Sequence, residues 1–237
     1  MIKGLQLDGL RVIGPVATVS RDRYLQGYDE LLLIDSVASL YGRNSIVSAI
    51  RAATESVFVP VTAGGGIRAI EDARAYFLNG ADRVMINSAA LKNPGLVMDI
   101  AEVYGAQAVV VSIEAKKVSK SSWNCFFESG REDSKIDVRD WVGSLSAEWV
   151  GEILLTSVDN DGLLRGPDER LLDEVAAIST VPIIYSGGVA DERQALQVLS
   201  NEAVTALAIG AAAHYQRLGL REIKSSMREF GLDAREI

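Results

Sequence analysis

The feature that most constrains this chain is a regular alternation of short apolar runs with amphipathic stretches. The runs are continuous and rich in β-branched residues, which is typical of strands buried on both faces of a parallel sheet. They lie at residues 30–35, 59–63, 83–87, 108–113, 152–157, 181–186 and 204–209, with a weaker run at 4–7. Repeated strand–helix units predict a parallel sheet, and eight of them predict a (β/α)8 TIM barrel.

Helix-like stretches separate these runs along the whole chain. They are predicted at residues 44–56, 69–79, 94–104, 138–149, 169–179 and 191–200, and a last helix is predicted at 218–230. Helix starts are marked by Asn93-Pro94 and by Asp191-Glu192, since short polar residues and proline favour the first turn.

An internal repeat supports one domain rather than two. The length of 237 residues fits either one barrel or two smaller domains. A shift of 122 residues places 30–90 on 152–212 without a gap, strands on strands, with identities that include Glu30/Glu152, Pro60/Pro182 and Gly65/Gly187. The chain is therefore predicted to be a single barrel over 1–237, made of two duplicated half-barrels at about 1–107 and 108–237.

Two glycine clusters occupy equivalent places in the two halves. Gly64-Gly65-Gly66 and Ser186-Gly187-Gly188 each follow a strand and precede a helix, and the next strands end at Asn87-Ser88 and Ile209-Gly210. Glycine lets the backbone approach an anion, and a helix start offers free N–H groups. At the carboxyl ends of barrel strands, each pair of loops could hold one phosphate. Two such sites predict a substrate with a phosphate at each end; the alternative is that the glycines only form tight turns.

Composition excludes several classes of function. The net charge of −8 and the pI of about 4.8 argue against binding to a nucleic-acid polymer. The single cysteine excludes an internal disulfide and fits a reducing, cytoplasmic compartment. The single histidine, His214, leaves no His/Cys metal cluster, and we expect no metal and no cofactor. No signal peptide and no membrane-spanning run is expected from the sequence.

Six ordered motifs then carry a resemblance to a known family. VPVTAGGGI, ADRVMINSAALKNP, GAQAVVVSIEAKK, VRDWV, GEILLTSVDNDG and VPIIYSGG closely resemble the cyclase subunit (HisF) of imidazole glycerol phosphate synthase, over about residues 28–237. The resemblance implies a duplicated barrel that binds a bis-phosphorylated ribulosyl aminoimidazole carboxamide nucleotide. It also implies a HisH-like glutaminase partner, in a heterodimer, whose ammonia passes through the barrel and closes the imidazole ring in histidine biosynthesis.

The family's catalytic carboxylates match this chain only in part. Glu114 ends the fifth strand where the family has aspartate, and Asp161, in DNDG, lies after the sixth strand. The strand-1 acid falls on Leu5, which cannot transfer a proton, and Asp8 lies where the family has its second, less critical aspartate. The family's loop lysine has no match in RVIGP, and the first βα unit is shortened by about ten residues.

The resemblance also assigns binding residues at the two ends of the barrel. At the carboxyl ends of the strands, Asp35, Asn87, Thr156 and Ser186 join the two glycine clusters as phosphate or substrate ligands. At the opposite face, the family has a charged gate to an ammonia passage, and the matching residues are Glu30, Arg83 and Glu152, with Asp82 facing the glutaminase. The alternative is that these charges pair with each other and cap the barrel.

Three functions stay open from the sequence. The first is a cyclase/lyase subunit working with a glutaminase. The second is a paralogue that passes ammonia with an amidotransferase in surface-sugar (lipopolysaccharide) biosynthesis, which fits the loss of the strand-1 acid. The third is a non-catalytic scaffold that binds phosphorylated ligands. The polar segment 117–137 is predicted to be a long loop or small hairpin that covers the site, and Trp123, Trp141 and Trp149 are predicted to be packing residues.

Overall fold

The computed structural model of the chain describes residues 2–3, 10–35 and 46–236. It contains the strands β1 (Ile2–Lys3), β2 (Leu10–Arg11), β3 (Leu31–Ile34), β4 (Val61–Gly64), β5 (Arg83–Ile86), β6 (Val109–Ser119), β7 (Ser122–Phe127), β8 (Glu132–Asp137), β9 (Glu152–Ser157), β10 (Ile183–Ser186) and β11 (Val204–Ala208).

Seven parallel strands form the main sheet in the order β11-β10-β9-β6-β5-β4-β3. Each strand lies beside the parallel strand that precedes it in the chain, with at least one helix between the two in every case, which is the arrangement of a (β/α)8 barrel. The predicted fold class is confirmed. The strand predicted at 4–7 lies outside the described residues. β1 and β2, which precede and follow that segment in the chain, pair antiparallel with each other.

The seven predicted helices are present with shorter bounds, and three further helices were not predicted: those at Val16–Leu25, Ser88–Lys92 and Ala211–His214. They are α1 (Val16–Leu25), α2 (Val47–Thr54), α3 (Ile70–Leu78), α4 (Ser88–Lys92), α5 (Gly95–Tyr104), α6 (Val138–Ser144), α7 (Glu169–Ala176), α8 (Glu192–Leu199), α9 (Ala211–His214) and α10 (Leu220–Glu229). Asp137, Asp168 and Asp191 cap α6, α7 and α8 by accepting a backbone N–H within the first turn. These caps fix where the helices begin.

The continuous apolar runs are explained by burial on both faces of the sheet. One set of side chains fills the inside of the barrel, where Met85, Val110, Leu154 and Ile184 pack together. Their neighbours along the strands point outward under the helices and belong to the large outer cluster, which includes Val111, Ile153 and Tyr185. A strand that faces solvent would have shown alternation instead.

Helix α1 contacts the last βα unit of the barrel. Arg23 on α1 donates to Ala213 O at 3.2 Å, and its guanidinium lies 3.3 Å from His214 Nδ1. Burial and the positive charge of Arg23 lower the pKa of His214 to about 4. The histidine is thus neutral in the folded protein at neutral pH, and its contact with Arg23 links α1 to the last βα unit.

A pH dependence of stability follows from this histidine. Its folded pKa of about 4 lies below the usual value of 6.5, so the unfolded chain binds more protons between these values. The free energy of unfolding should therefore fall as the pH falls from about 6.5 to about 4. Chemical denaturation over this range should show a shallower fall in a His214→Gln variant. An identical pH slope in the two proteins would contradict the role of His214.

The segment after the fifth barrel strand forms an antiparallel extension. Strand β6 continues beyond the barrel to Ser119, pairs with β7, and β7 pairs with β8. The predicted hairpin is confirmed. Trp123 is buried in this extension, and its Nε1 donates to Asp168 Oδ2 at 3.0 Å. Lys117 Nζ and Arg170 Cζ lie 5.3 and 5.9 Å from the centre of its ring. The hairpin is therefore fixed against the start of α7, and Trp123 and Trp141 are packing residues as predicted.

Candidate active site

One large cavity of about 1550 Å³ occupies the barrel and its carboxyl end. At the carboxyl ends of the strands, its lining includes eleven of the predicted residues: Asp35, Gly65, Gly66, Asn87, Ser88, Glu114, Thr156, Asp161, Ser186, Ile209 and Gly210. Inside the barrel the lining continues over Leu32, Met85, Leu154 and Ile184, and it reaches Glu30 before β3 begins. The lining also includes residues of α1 and α10, so the cavity extends beyond the carboxyl end of the strands to the side of the barrel where these helices lie.

Glu114 lies near the centre of the site wall. In β6 it pairs in register with Thr156 of β9 on one side and with Phe126 of β7 on the other. Its Oε2 accepts a hydrogen bond from Gly130 N at 2.6 Å, in the turn between β7 and β8. The half-buried carboxylate is thus held by the hairpin while its residue lines the cavity, which is a suitable position for a general acid or base.

The first glycine cluster brings three loops together. Gly65 has a φ of +97°, and a Cβ there would lie 2.2 Å from Asp35 O, after the neighbouring strand. Gly65 and Gly66 line the cavity with Asn87 and Ser88; we call these four residues the first cradle. Gly64 is different, because it ends β4 against Met85, where a Cβ would lie 2.8 Å from Met85 Cε, and it is not part of the cavity lining.

The second cluster repeats this geometry in the other half of the chain. Gly187 has a φ of +114°, and its Cβ would lie 2.7 Å from Ser157 O, the position equivalent to Asp35 O. Gly187 and Gly188 line a small concavity of about 20 Å³ with Ile209 and Gly210; we call these four residues the second cradle. The residues that precede α4 and α9 also match, with φ, ψ of −122°, −84° at Asn87 and −103°, −84° at Gly210.

Asp161 and Asp35 place further carboxylates at the site. Asp161 follows β9 and borders both the large cavity and the concavity of the second cradle. Asp35 follows β3, and its backbone N–H donates to Gly64 O at 2.9 Å. Asp8 and Leu5 lie outside the described residues.

Sequence reasoning missed the polar residues that the hairpin and α4 contribute. Glu128 and Ser129, at the turn between β7 and β8, line the cavity, as do Lys92 at the end of α4 and Arg68 after the first glycine cluster. The positive φ values of Glu128 and Ser129, 53° and 67°, turn the chain back over the site. The only sequence signal was the predicted hairpin itself, because its register decides which residues reach the cavity.

At the opposite face, three of the four charged residues pair with each other, which is what the alternative to a gate describes. A single nitrogen of Arg83, Nη1, lies 2.8 Å from Glu30 Oε2 and 2.7 Å from Glu152 Oε2. Burial raises the pKa of Glu30; Arg83 acts to lower it, and Glu152 to raise it. Asp82 lies apart from this cluster and accepts a hydrogen bond from Val61 N at 2.8 Å. Asp82 therefore stabilises the start of β4 through this hydrogen bond.

Exposed apolar side chains lie around the same face of the barrel. Phe58 is 85% exposed in the loop before β4, and Leu78 is 75% exposed at the end of α3. Leu25 at the end of α1, Ile178 after α7 and Phe230 after α10 are also exposed.

The described residues hold no group of three or more histidine, cysteine, aspartate or glutamate side chains that could bind a metal ion. None of their helices is long and apolar enough to cross a membrane.

Comparisons with known proteins give a consistent result. A family model described as "Histidine biosynthesis protein" matches residues 1–219. The imidazole glycerol phosphate synthase subunit HisF of Legionella pneumophila is 46% identical over 79% of this chain and 89% of that protein. The subunit HisF of Streptococcus sanguinis is 38% identical over 99% of this chain and 93% of that protein. The subunit HisF of Dictyoglomus turgidum is 37% identical over 98% of this chain and 92% of that protein.

Proposed function

This chain belongs to the histidine-biosynthesis protein family, and on that premise we propose that it is the cyclase/lyase subunit of an imidazole glycerol phosphate synthase. It would take ammonia from a glutaminase partner. With that ammonia it would convert a bis-phosphorylated ribulosyl aminoimidazole carboxamide nucleotide to imidazole glycerol phosphate and an aminoimidazole carboxamide ribonucleotide.

The observation that carries this proposal is the pair of cradles, together with the position of Glu114 on a strand that lies between the strands leading to the two cradles. The first cradle follows β4 and the second follows β10, four strands apart in the sheet. In an eight-stranded barrel, strands four steps apart lie on opposite sides. A ligand with a phosphate at each end would span the opening and place its middle over the cavity that Glu114 and Asp161 line.

In this proposal each group has a distinct task. Backbone N–H groups of the two cradles bind the phosphates, which explains how a chain of net charge −8 can hold a doubly anionic ligand. Glu114 transfers a proton as general acid or base. Asp161 is a second carboxylate at the site, and the sequence resemblance adds Asp8 as a third. Thr156, Asp35 and Ser186 contact the ligand between the cradles.

A direct assay tests the proposal. Purified protein, the bis-phosphorylated nucleotide and an ammonium salt are mixed, and ultraviolet absorbance follows loss of the nucleotide. The expected result is turnover that depends on ammonium. Binding of the nucleotide without any turnover would contradict the cyclase function.

One observation favours a second candidate, a paralogue that supplies ammonia in surface-sugar biosynthesis. The resemblance places the family's strand-1 acid at Leu5, and no lysine lies between Leu5 and Glu30. Such a protein would keep the ammonia passage and a glutaminase partner but need only part of the proton-transfer machinery. Stimulation of a glutaminase without turnover of the nucleotide would support this candidate.

We place the glutaminase on the face that holds Arg83, Glu30 and Glu152. The apolar side chains around that face would be covered in the complex, and the cavity that reaches Glu30 would lead ammonia toward Glu114. Arg83 would connect the passage with the partner, since its one Nη1 atom holds both glutamates.

A substitution of Arg83 tests this placement. Without the guanidinium, the two glutamate carboxylates repel each other at the entry of the passage. We expect Arg83→Gln to lower glutamine-driven turnover on the order of tenfold, with ammonium-driven turnover changed less than threefold. Turnover is measured with a glutaminase subunit present.

Arg51→Gln is the matched control, because Arg51 forms a highly exposed ion pair with Glu55 on α2. Both activities should stay unchanged in that variant. Equal loss of both activities in Arg83→Gln would show that Arg83 supports the fold instead of the passage.

A further inference from the structure

The turn between β7 and β8 places a carboxylate on the cavity wall that sequence reasoning did not identify. Glu128 lines the cavity, and its side chain is only 15% exposed. Its Oε1 lies 3.7 Å from Lys92 Nζ, while its Oε2 is buried without a hydrogen-bond partner in the part of the chain that the structure describes.

Several contacts fix this turn over the site. Gly130 N donates to Glu114 Oε2 at 2.6 Å, and Asn87 Nδ2 donates to Phe126 O at 3.5 Å. Lys92 Nζ lies 4.6 Å from the centre of the Phe127 ring. The backbone that carries Glu128 is therefore held by contacts on both sides of this residue in the chain.

Asn87 provides a second unsatisfied acceptor on the same cavity. Its Nδ2 is used by Phe126 O, but its Oδ1 is buried and has no partner among the described residues. A buried acceptor without a donor is unfavourable, and because this oxygen has almost no accessible surface, a ligand N–H removes that penalty only when the Asn87 side chain turns toward the cavity. Rotation of the Glu128 carboxylate about its last bond exchanges its two oxygens, so either one can face the ligand.

We propose that Glu128 is a specificity-determining residue that accepts a hydrogen bond from an amide or amine N–H of the ligand, beside Asn87 Oδ1. This inference rests on the proposed function for the identity of the ligand, whose aminoimidazole carboxamide part carries such groups. A carboxylate repels phosphate, so this part of the wall recognises the nitrogen-rich portion of the ligand, and the glycine cradles recognise its phosphates.

The test compares two probes that differ in N–H groups. Aminoimidazole carboxamide ribonucleotide carries amide and amine donors, whereas ribose 5-phosphate carries none. Isothermal titration calorimetry should show at least tenfold tighter binding of the ribonucleotide to the unaltered protein. Glu128→Ala should weaken ribonucleotide binding about tenfold and leave ribose 5-phosphate binding within twofold. Glu128→Gln, which keeps an acceptor oxygen, should recover part of the loss.

Glu132→Ala is the matched control, because Glu132 is an exposed glutamate on the same hairpin. It should leave both affinities unchanged. Equal weakening of both probes in Glu128→Ala, no change in either, or no binding of the ribonucleotide to the unaltered protein would overturn the inference. The proposed function fails separately from this inference in one case. In that case Glu128→Ala weakens binding of the ribonucleotide alone, but the ammonium-driven assay of the unaltered protein shows no turnover.

Discussion

We expect a Glu114→Gln variant to lose ammonium-driven cyclase turnover by at least about a hundredfold, the usual contribution of a positioned general acid or base. The amide cannot exchange a proton with the reacting nucleotide at neutral pH. Its carbonyl oxygen can still accept the hydrogen bond from Gly130 N that Glu114 Oε2 accepts now at 2.6 Å. The hairpin should therefore stay in place, and the nucleotide should bind with an affinity within threefold of that of the unaltered protein.

The measurement combines steady-state kinetics with calorimetric binding of the nucleotide. The fall should appear in kcat, with the dissociation constant nearly unchanged, which separates proton transfer from ligand binding. The exposed Glu132→Gln on β8 is the matched control and should keep full activity. If turnover survives in Glu114→Gln, the proton-transfer group is another residue, and Asp161 becomes the next carboxylate to test.

The second large effect is expected at the glycine clusters. Gly65→Ala puts a side chain on a residue with a φ of +97°, and its Cβ would lie 2.2 Å from Asp35 O. Backbone strain and displacement of a packed strand end together should lower the free energy of unfolding by roughly 2–4 kcal/mol. In a protein of this size that corresponds to a melting temperature about 5–15 °C lower. Phosphate binding at the first cradle should be lost as well.

Two other glycines make this prediction sharp. Gly187→Ala should behave like Gly65→Ala, since Gly187 has a φ of +114° and the equivalent close approach to Ser157 O. Gly143→Ala should be neutral or stabilise the protein by up to about 1 kcal/mol, because Gly143 lies in α6 and a Cβ there meets nothing within 4 Å. Differential scanning calorimetry compares the three. Equal melting temperatures for Gly65→Ala and Gly143→Ala would contradict the assigned backbone role.

The barrel was predictable from sequence because its strands are buried on both faces. Val109–Ile113 and Glu152–Ser157 carry continuous apolar runs, and the structure places them as neighbours in one parallel sheet. The repeat was predictable for a related reason: Gly65 and Gly187 meet the same steric requirement in each half, so they recur at the same place. A positive φ with a close backbone contact restricts a position to glycine, so such a position can be recognised in the sequence.

The contacts made by long side chains were not predictable in the same way. Glu128 reaches the cavity only because β7 pairs with β6 in one particular register and because its φ is 53°. Gly64 belongs to the predicted glycine cluster, yet it packs on Met85 instead of facing the cavity. Likewise Asp82 bonds Val61 N, a local contact that charge alone does not reveal. Pairing register and rotamer choice, rather than composition, decide these cases.

The central claim is that one ligand with two phosphates spans the two cradles, and a crystal structure with the bis-phosphorylated nucleotide bound tests it most directly. The account predicts one phosphate against Gly65, Gly66 and Ser88, and the other against Gly187, Gly188 and Gly210, with the middle of the ligand over Glu114. A nucleotide held through one phosphate only, or outside both cradles, would contradict it.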